Sequence, residues 1–369
     1  MMESCDALVI GGGPAGSTCA RALVRGGMDV MVMDKAEFPR DKVCAGWITP
    51  GVVALLELDT QAYGRDHVLQ PIQGFRTGLI NGSAMETRYD EVVSYGIRRC
   101  EFDHYLFKRA GARMALGQPL ASLERNGGQW IVNGTLSTPL IIGAGGHFCP
   151  VARFLGAKLG AGDPAVAAKE IEFEMSDEQI AACSVQADTP ELYFTADLKG
   201  YGWCFRKGRY LNIGLGREDS HHLTGHLASF CEFLHARGRI PPHIPDRFHG
   251  HAYLLYGHAP RKPIDDGVLL IGDAAGLAYP ESGEGIRPAI ESALLAAATI
   301  LDTRGQYRAQ HLCAYRDKLQ ARFGTAVAPK ARTPQAVKEL LATVLLRSRW
   351  FTRHIVLDRW FLHRRQPAM

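Results

Sequence analysis

The stretch VLLIGDAAGLAYPESGEGIRPAIESALLAA, residues 268–297, predicts a buried strand, a glycine-rich turn and a helix of small residues. The strand covers Val268 to Ile271, and Gly272 and Asp273 open the turn. A second unit of this kind begins at GGGPAG, residues 11–16. Ligands of parallel α/β sheets bind outside the carboxyl ends of the strands. We therefore expect these two distant segments to bind one dinucleotide.

The N-terminal segment has the features of a dinucleotide-binding unit. The apolar run ALVI is followed by Gly11, Gly13 and Gly16, which give the G-x-G-x-x-G spacing. These glycines allow the tight turn, the approach of a pyrophosphate and the packing of the helix on the strand. A helix over 14–25 would direct its N–H groups at the phosphates. Asp34 ends the second strand, where an acidic residue accepts hydrogen bonds from a ribose.

Composition limits the class of protein. The chain has 369 residues and 46% hydrophobic content, enough for two domains with sizeable cores. Its nine cysteines form no CxxC pair, which indicates neither a disulfide framework nor a zinc site, so no metal is predicted. The first strand begins directly after the start of the chain, and no apolar run reaches the length of a membrane span. The sequence predicts a cytoplasmic protein.

Charge is distributed unevenly along the chain. The net charge is +4, yet residues 330–369 hold nine Lys/Arg and two Asp/Glu. Two interpretations of this basic, apolar-rich segment are open: helices packed on the body with their charges in water, or an amphipathic segment lying on a membrane surface. The sequence favours the first. A nucleic-acid partner is not expected, because the basic residues form no reader motif.

Six motifs resemble one family. GGGPAG and the second fingerprint GDAAG at 272–276 resemble those of flavoproteins with the para-hydroxybenzoate hydroxylase fold. RRCEFDHYL at 98–106 resembles the family's R-x-x-F-D-x-x-L helix start. PESGEGI at 280–286, DKVCAG at 41–46 and GYGWCFRKG at 200–208 resemble the geranylgeranyl reductase branch of that fold. The last two motifs depart from the branch at Val43, Ala45 and Arg206.

The resemblance implies non-covalent FAD and a set of site residues. The implied FAD-binding residues are Gly11, Gly13, Pro14, Ala15, Gly16, Asp34, Lys35, Cys44, Ala45, Arg99, Gly272, Asp273, Gly283, Glu284, Gly285 and Ile286. The implied substrate-binding residues are Tyr201, Trp203, Phe205 and Lys207. Cys44, Tyr201 and Trp203 are the candidate catalytic residues, although the two rings suit the wall of an apolar cavity better than acid–base work. Cys44 is a candidate proton donor, or a weak hydrogen-bond partner that tunes the flavin ring.

One segment departs from the family in a way that bears on electron supply. Where the family has G-A-D-G-x-x-S, this chain has Gly145 for the Asp and Cys149 for the Ser. In the family that Asp is tied to flavin and nicotinamide handling, so NAD(P)H as the direct donor is left open. His147 in this segment is a second, weaker candidate for a general acid.

We predict an α/β fold: a discontinuous Rossmann-like FAD-binding domain with an inserted, mainly antiparallel β-sheet substrate domain and C-terminal helices. Residues 1–70, 93–165 and 258–325 are assigned to the FAD domain, 71–92 and 166–257 to the substrate domain, and 326–369 to a basic C-terminal helical segment. Local patterns predict helices at Val52–Leu58, at Glu101–Ala115 and from about Gly283, and a second strand at Met28–Met33.

The predicted function is FAD-dependent reduction of a carbon–carbon double bond in a small apolar substrate of prenyl or polyene type. Two alternatives remain open at this point. One is a flavin monooxygenase acting on an aromatic or polyketide-like substrate. The other is a non-redox flavin-dependent cyclase or a protein that only binds flavin and ligand. The sequence names neither the electron donor nor the oligomeric state.

Overall fold

The computed structural model describes residues 2–158, 165–219, 222–258, 261–324, 345–366 and 369. In chain order the strands are β1 (Glu3–Ser4), β2 (Ala7–Ile10), β3 (Val30–Met33), β4 (Trp47–Ile48), β5 (Leu69–Ile72), β6 (Gly74–Leu79), β7 (Ala84–Arg88), β8 (Ser94–Ile97), β9 (Arg113–Ala115), β10 (Leu123–Asn126), β11 (Gln129–Val132), β12 (Leu136–Thr138), β13 (Ile141–Gly143), β14 (Val166–Glu174), β15 (Glu191–Phe194), β16 (Gly200–Lys207), β17 (Tyr210–Arg217), β18 (His249–Tyr253), β19 (Ile264–Asp265) and β20 (Val268–Leu270).

The helices are α1 (Pro14–Arg25), α2 (Pro50–Leu55), α3 (Thr60–Asp66), α4 (Arg99–Arg109), α5 (Pro150–Phe154), α6 (Asp177–Ala182), α7 (Leu223–Ala236), α8 (Ile286–Asp302), α9 (Ala309–Phe323) and α10 (Arg349–Phe351). A 3-10 turn covers Gly272–Ala275, and a π-helix covers Thr352–Phe361. The chain divides into two compact units. Unit 1 contains residues 1–41, 100–164 and 253–329, and unit 2 contains residues 42–99, 165–252 and 330–369.

Unit 1 is built around a six-stranded sheet of order β19-β20-β13-β2-β3-β9. Strands β20, β13, β2, β3 and β9 are parallel, and β19 is antiparallel to β20. Every residue of β2 and β3 is buried, as expected for central strands of a parallel sheet. Helices α1 and α8 pack against each other beside this sheet. A smaller sheet has the order β1-β12-β11-β10. This is the predicted Rossmann-like arrangement.

Unit 2 is built around a seven-stranded sheet of order β18-β14-β17-β16-β15-β6-β7. Its pairs are antiparallel at β14–β17, β17–β16, β16–β15 and β6–β7, and parallel at β15–β6. Helix α7 packs on β14 and β17, with Phe230 and Leu234 fully buried in that core. A three-stranded sheet of order β4-β8-β5 belongs to the same unit. The predicted mainly antiparallel sheet is therefore present.

The two units differ from the predicted domain boundaries at residues 42–70 and 93–99. These residues cluster with unit 2 because β4 and β5 both pair with β8. The predicted domain boundaries state which segments bind the cofactor and which bind the substrate. The division into two compact units does not test this, so the boundaries stay a prediction.

Several predicted elements also begin or end elsewhere. The helix predicted at Glu101–Ala115 ends at Arg109, before Gly111, whose φ is +69°. The helix predicted at Val52–Leu58 is α2, which begins at Pro50 and ends at Leu55, and a separate helix follows Asp59, which caps it.

The C-terminal segment packs on unit 2 where it is described. Its predicted helical pair begins in residues 326–344, which lie outside the described residues. Val356, Leu357 and Phe361 of the π-helix are fully buried. The Phe361 ring meets Trp47 and Tyr201 with centroids 5.6 and 5.3 Å away. The packed interpretation therefore holds for this part. Within the described chain, no helix combines the length and the apolar character that crossing a bilayer requires.

Candidate functional site

The glycine loop after β2 brings helix α1 against the strand. A Cβ on Gly16 would lie 1.8 Å from the Gly11 carbonyl oxygen, so only glycine allows this packing. A Cβ on Gly13 would meet one group within 4 Å, the Arg40 guanidinium at 3.4 Å. The backbone at Gly13 therefore faces open space. This is the geometry that a pyrophosphate lying against the loop requires.

The start of α1 carries a positive electrostatic potential. Gly13 is the N-cap, Pro14 occupies the first turn, and no side chain caps the helix. Unsatisfied N–H groups and the helix dipole favour an anion at such a position. The Arg40 guanidinium adds a full charge and is held by the buried carboxylate of Asp103 at 3.3 Å. Sequence reasoning did not identify Arg40. The sequence indicates Arg40 only as one of several basic residues in the loop after Asp34.

Asp34 lies at the end of β3, where the sequence predicted it. One carboxylate oxygen accepts a hydrogen bond from the Gly12 amide at 2.7 Å, and the other accepts one from the Ala36 amide at 2.9 Å. These bonds fix the carboxylate beside the glycine loop, within reach of a ribose bound there. The neighbouring Lys35 side chain is exposed.

The second glycine-rich segment approaches the first within unit 1. Gly272 packs against Ala15 of α1, because a Cβ there would lie 3.1 Å from the Ala15 Cβ. Asp273 stands in the 3-10 turn, and its Oδ1 is 2.9 Å from the position of a Cβ on Gly285. Neither the 3-10 turn nor α8 has a side-chain cap. The Asp273 carboxylate therefore lies beside the start of α8.

Arg261 joins this turn to the loop that contains the family departure. Its guanidinium donates hydrogen bonds to the carbonyls of His147, Asp273 and Ala274 at 3.0 to 3.2 Å. A second guanidinium nitrogen lies 3.2 Å from His147 Nδ1. The His147 side chain is buried, so its environment is that of a structural residue. Arg261 was not identified from the sequence, because no motif includes it.

The loop predicted to pass under the flavin ring is tightly constrained. Gly283 has φ +70°, and a Cβ there would lie 2.4 Å from the Tyr253 hydroxyl oxygen. Gly285 is the N-cap of α8, which therefore begins at Ile286 and not at Gly283. Burial raises the pKa of the Glu284 carboxyl to about 8, so the neutral acid dominates at pH 7. This loop ends in a helix N-terminus beside a proton-bearing carboxyl group.

The remaining predicted site residues belong to unit 2. Cys44 and Ala45 are half-buried in the loop before β4, and Arg99 begins α4 and is 9% exposed. The Cys44 sulfur accepts a hydrogen bond from the Gly46 amide at 3.4 Å. Cys44 thus keeps partial access to solvent, which a proton donor needs.

Strand β16 places its alternate residues on one face of the sheet. Tyr201 is half-buried and packs against Phe194 and Phe361, with centroids 5.9 and 5.3 Å away. Phe205 stacks on Trp47 at 5.2 Å. These five rings form an apolar aromatic surface, called here the aromatic face: Trp47, Phe194, Tyr201, Phe205 and Phe361.

Trp203 and Lys207 have their polar atoms bound to the protein. The Trp203 indole N–H donates to Asn212 Oδ1 at 2.7 Å. The Lys207 ammonium is 1% exposed and donates to the Ile97 carbonyl at 2.8 Å and to Glu172 at 2.7 Å. Both residues therefore build the buried part of the same face of β16, beside Tyr201 and Phe205. Their predicted contact with substrate stays a prediction.

The residues of unit 1 fit FAD. The open backbone at Gly13, the uncapped helix start and the fixed Asp34 carboxylate suit a pyrophosphate and a ribose. Asp273 belongs to the second glycine-rich segment and lies beside the start of α8. No group of His, Cys, Asp or Glu in the described part of the chain has the geometry to hold a metal ion.

The open backbone at Gly13 predicts a separation between cofactor binding and folding. Gly13→Leu should weaken FAD binding more than about tenfold by filling the pyrophosphate's position, with little change in the melting temperature of the apo-protein. Gly16→Val should instead lower the melting temperature, because its Cβ would overlap the Gly11 carbonyl. Gly225→Leu, at a site with no atom within 4 Å, is the control. A Gly13→Leu protein that purified with full flavin occupancy would contradict the assignment.

The Asp273 carboxylate gives a second prediction. A charge-assisted hydrogen bond contributes about 1.5–3 kcal/mol. Asp273→Asn should therefore weaken FAD binding roughly tenfold to a hundredfold, at about 1.4 kcal/mol per decade. Titration of the apo-protein with FAD measures this, and Asp317→Asn, on an exposed residue of the same unit, is the control. Unchanged affinity with a lower melting temperature would mean that Asp273 stabilises the fold only.

Comparisons with known proteins agree with this geometry. A family model described as an FAD binding domain matches residues 4–59. The menaquinone reductase of Mycobacterium tuberculosis is 32% identical over 323 residues, which cover 82% of this chain and 78% of that protein. The digeranylgeranylglycerophospholipid reductase of Methanocaldococcus jannaschii is 27% identical, covering 79% and 75%. These relatives are named as reductases, which favours the predicted reductase over the monooxygenase alternative.

Solved structures show the same fold. The crystal structure of a geranylgeranyl bacteriochlorophyll reductase-like protein from Thermoplasma acidophilum superposes with a TM-score of 0.74 at 22% identity, covering 94% of this chain and 88% of that one. The halogenase PltM in complex with phloroglucinol and FAD gives 0.68 at 17% identity, covering 93% and 76%. The glycine-rich segments, the FAD domain match and the reductase relatives lead to one conclusion: the chain belongs to the geranylgeranyl reductase-like branch of the FAD-dependent oxidoreductases.

Proposed function

We propose that this enzyme saturates a carbon–carbon double bond in the prenyl chain of an apolar substrate. The relatives' names support this substrate class, because menaquinone and digeranylgeranylglycerophospholipid both carry long isoprenoid chains. The observation that carries the proposal is the aromatic face of unit 2. Four of its five rings are buried against one another, and the half-buried Tyr201 ring is the one that a ligand can reach, which suits an apolar chain.

The roles of the residues follow from their chemistry. When bound in its reduced form, FAD supplies a hydride equivalent, and the protein supplies orientation. The Cys44 thiol gives its proton to the second carbon of the double bond, and water then reprotonates the thiolate. Tyr201 contacts the chain, and Phe205, Trp203 and Lys207 line the same face of β16 next to it. Residues 71–92 and 166–257 act as the substrate domain, and the segments assigned to the FAD domain hold the cofactor.

The reaction consumes two electrons per double bond, and these come from an external two-electron donor. Gly145 stands where the family has an Asp tied to nicotinamide handling. A Cβ on Gly145 would lie 3.3 Å from Cys149, so the loop has little room for that Asp. This supports a donor other than NAD(P)H. A purified enzyme reduced by NADPH at a catalytic rate would argue for nicotinamide.

The C-terminal segment supports contact with a membrane surface, where prenyl lipids and quinones reside. Its apolar residues are divided between two sides. Val356, Leu357 and Phe361 are buried, whereas Trp350 is 65% and Leu345 37% exposed. Two exposed arginines, Arg347 and Arg349, directly precede Trp350. An exposed Trp beside basic residues suits the interface of an anionic bilayer.

The reductase proposal is tested by single-turnover reoxidation. The flavin is photoreduced without oxygen and mixed with geranylgeranyl diphosphate or a menaquinone in detergent. Reoxidation with formation of a saturated bond is expected, and Cys44→Ser should slow it at least tenfold because a hydroxyl is a far weaker acid than a thiol. An oxygen-dependent hydroxylated product would instead indicate a monooxygenase. Product formation without flavin reoxidation would indicate a cyclase.

The membrane proposal is tested by sedimentation with vesicles. Wild-type protein should bind vesicles that contain anionic lipid and not neutral ones. Each basic residue near such a surface contributes about 1 kcal/mol. The double variant Arg347→Gln/Arg349→Gln should therefore bind more than about tenfold more weakly at low salt. Arg304→Gln/Arg316→Gln, on exposed arginines of unit 1, is the matched control. Equal loss in both double variants would mean a non-specific effect of net charge.

A further inference from the structure

A buried polar cluster lies behind the Cys44 loop in unit 2. Its members come from three neighbouring strands and from the loop itself. Glu170 of β14, Trp203 of β16 and Asn212 of β17 are 6%, 5% and 1% exposed. Polar side chains this deeply buried are costly unless they are hydrogen-bonded. The hydrogen-bond partners of these side chains should therefore explain why they are buried.

Both polar groups of the Cys44 backbone are held by this cluster. The Cys44 carbonyl accepts a hydrogen bond from Asn212 Nδ2 at 3.1 Å. The Cys44 amide donates to the Glu170 carboxyl group. The same Asn212 nitrogen donates to Glu170 Oε2 at 3.2 Å, and Asn212 Oδ1 accepts from the Trp203 indole at 2.7 Å. The Cys44 backbone is thus held at its carbonyl by Asn212 and at its amide by Glu170, and these two side chains are hydrogen-bonded to each other.

The sheet register makes this arrangement possible. Gly214 of β17 pairs with Glu170 on one side and with Trp203 on the other. A Cβ on Gly214 would lie 2.2 Å from the Trp203 ring and 2.9 Å from the Glu170 Cβ. The missing side chain lets the indole lie across β17 and brings its N–H to Asn212. The cluster is therefore specified by four positions on three strands.

We infer that Glu170 and Asn212 are positioning residues that hold the Cys44 peptide and so fix the direction of its thiol. This inference deepens the proposed function, since it rests on Cys44 as the proton donor. A proton donor in a half-buried loop must be held in one orientation to protonate one face of a double bond. Trp203 acts through Asn212, because its indole N–H donates to Asn212 Oδ1.

The charged neighbours of Glu170 influence its protonation, and with it the hydrogen bond to the Cys44 amide. Burial raises the pKa of the Glu170 carboxyl to about 8; the Cys44 amide and the Lys207 ammonium oppose the rise, and Glu172 adds to it. Glu172 itself is held by Lys207 at 2.7 Å and by Arg98 at 3.6 Å. At pH 7 Glu170 is mainly neutral, so glutamine is a close substitute. Above pH 8 its carboxylate accepts the Cys44 amide in a charge-assisted hydrogen bond, which is the stronger kind.

The test measures the reactivity of Cys44 directly. The full-length protein is treated with iodoacetamide, and the alkylation rate of each cysteine is followed by mass spectrometry. Glu170→Ala and Asn212→Ala should change the rate at Cys44 at least fivefold. Cys183 and Cys204, which are buried in the same unit, should react as slowly as before. Rates that rise together at all three cysteines would mean general loosening and would overturn the inference.

The conservative variant separates positioning from stability. Glu170→Gln should match wild type at pH 6.5 and differ from it in the Cys44 alkylation rate above pH 8, because only the wild-type carboxyl ionises there and holds the Cys44 amide more strongly. Glu174→Gln, on the same strand but 58% exposed at the side chain, is the control and should follow wild type at every pH. If Glu170→Gln follows the wild-type profile through pH 9, the inference is wrong.

The activity arm distinguishes this inference from the proposed function. In single turnover with the prenyl substrate, Glu170→Ala should lower the rate constant about tenfold and leave the half-saturating substrate concentration unchanged. If wild type reduces no prenyl substrate, the proposed function fails while the alkylation results still decide whether Glu170 holds Cys44. Unchanged turnover with altered alkylation would show a holder without a role in protonation, and would overturn the inference.

Discussion

The structure of unit 1 depends on the close approach between helix α1 and strand β2. Gly16 lies so near the Gly11 carbonyl that even a methyl group would overlap it. This approach sets the direction in which the start of α1 points and leaves Gly13 at an open edge. The fixed Asp34 carboxylate and the Arg40–Asp103 pair then complete a surface with one negative and one positive group. A pyrophosphate and its ribose need both.

Unit 2 meets a different constraint, because it must bury polar groups next to an apolar surface. One face of its sheet carries both the rings of β16 and the polar side chains of Glu170, Glu172, Asn212 and Lys207. A buried ammonium or carboxylate is tolerated only when its partners are in place. The Lys207 ammonium has Ile97 and Glu172 as partners, so the charge is compensated within the unit. Such a network gives the Cys44 loop one well-defined conformation.

The sequence was sufficient for features that depend on local spacing, and insufficient for those that depend on contacts between distant residues. Strand β2, helix α1 and the position of Asp34 followed from apolar runs and glycine spacing. Arg40 and Arg261 did not, because their partners Asp103 and His147 lie 63 and 114 residues away in the chain. Glu170 resembled any polar residue of an alternating strand. The start of α8 was misplaced because Gly283 already has a left-handed backbone.

The π-helix at Thr352–Phe361 limits where this chain can lose a residue without repacking. On an α-helix, at about 100° per residue, Thr352 and Phe361 would lie on roughly opposite sides. The wider winding of i→i+5 hydrogen bonds brings both to the buried side, with Val356 and Leu357 between them. Removing one residue from this helix would therefore rotate Phe361 away from Tyr201 without altering either ring. The place of Phe361 in the aromatic face therefore depends on the π-helical winding as much as on the aromatic ring itself.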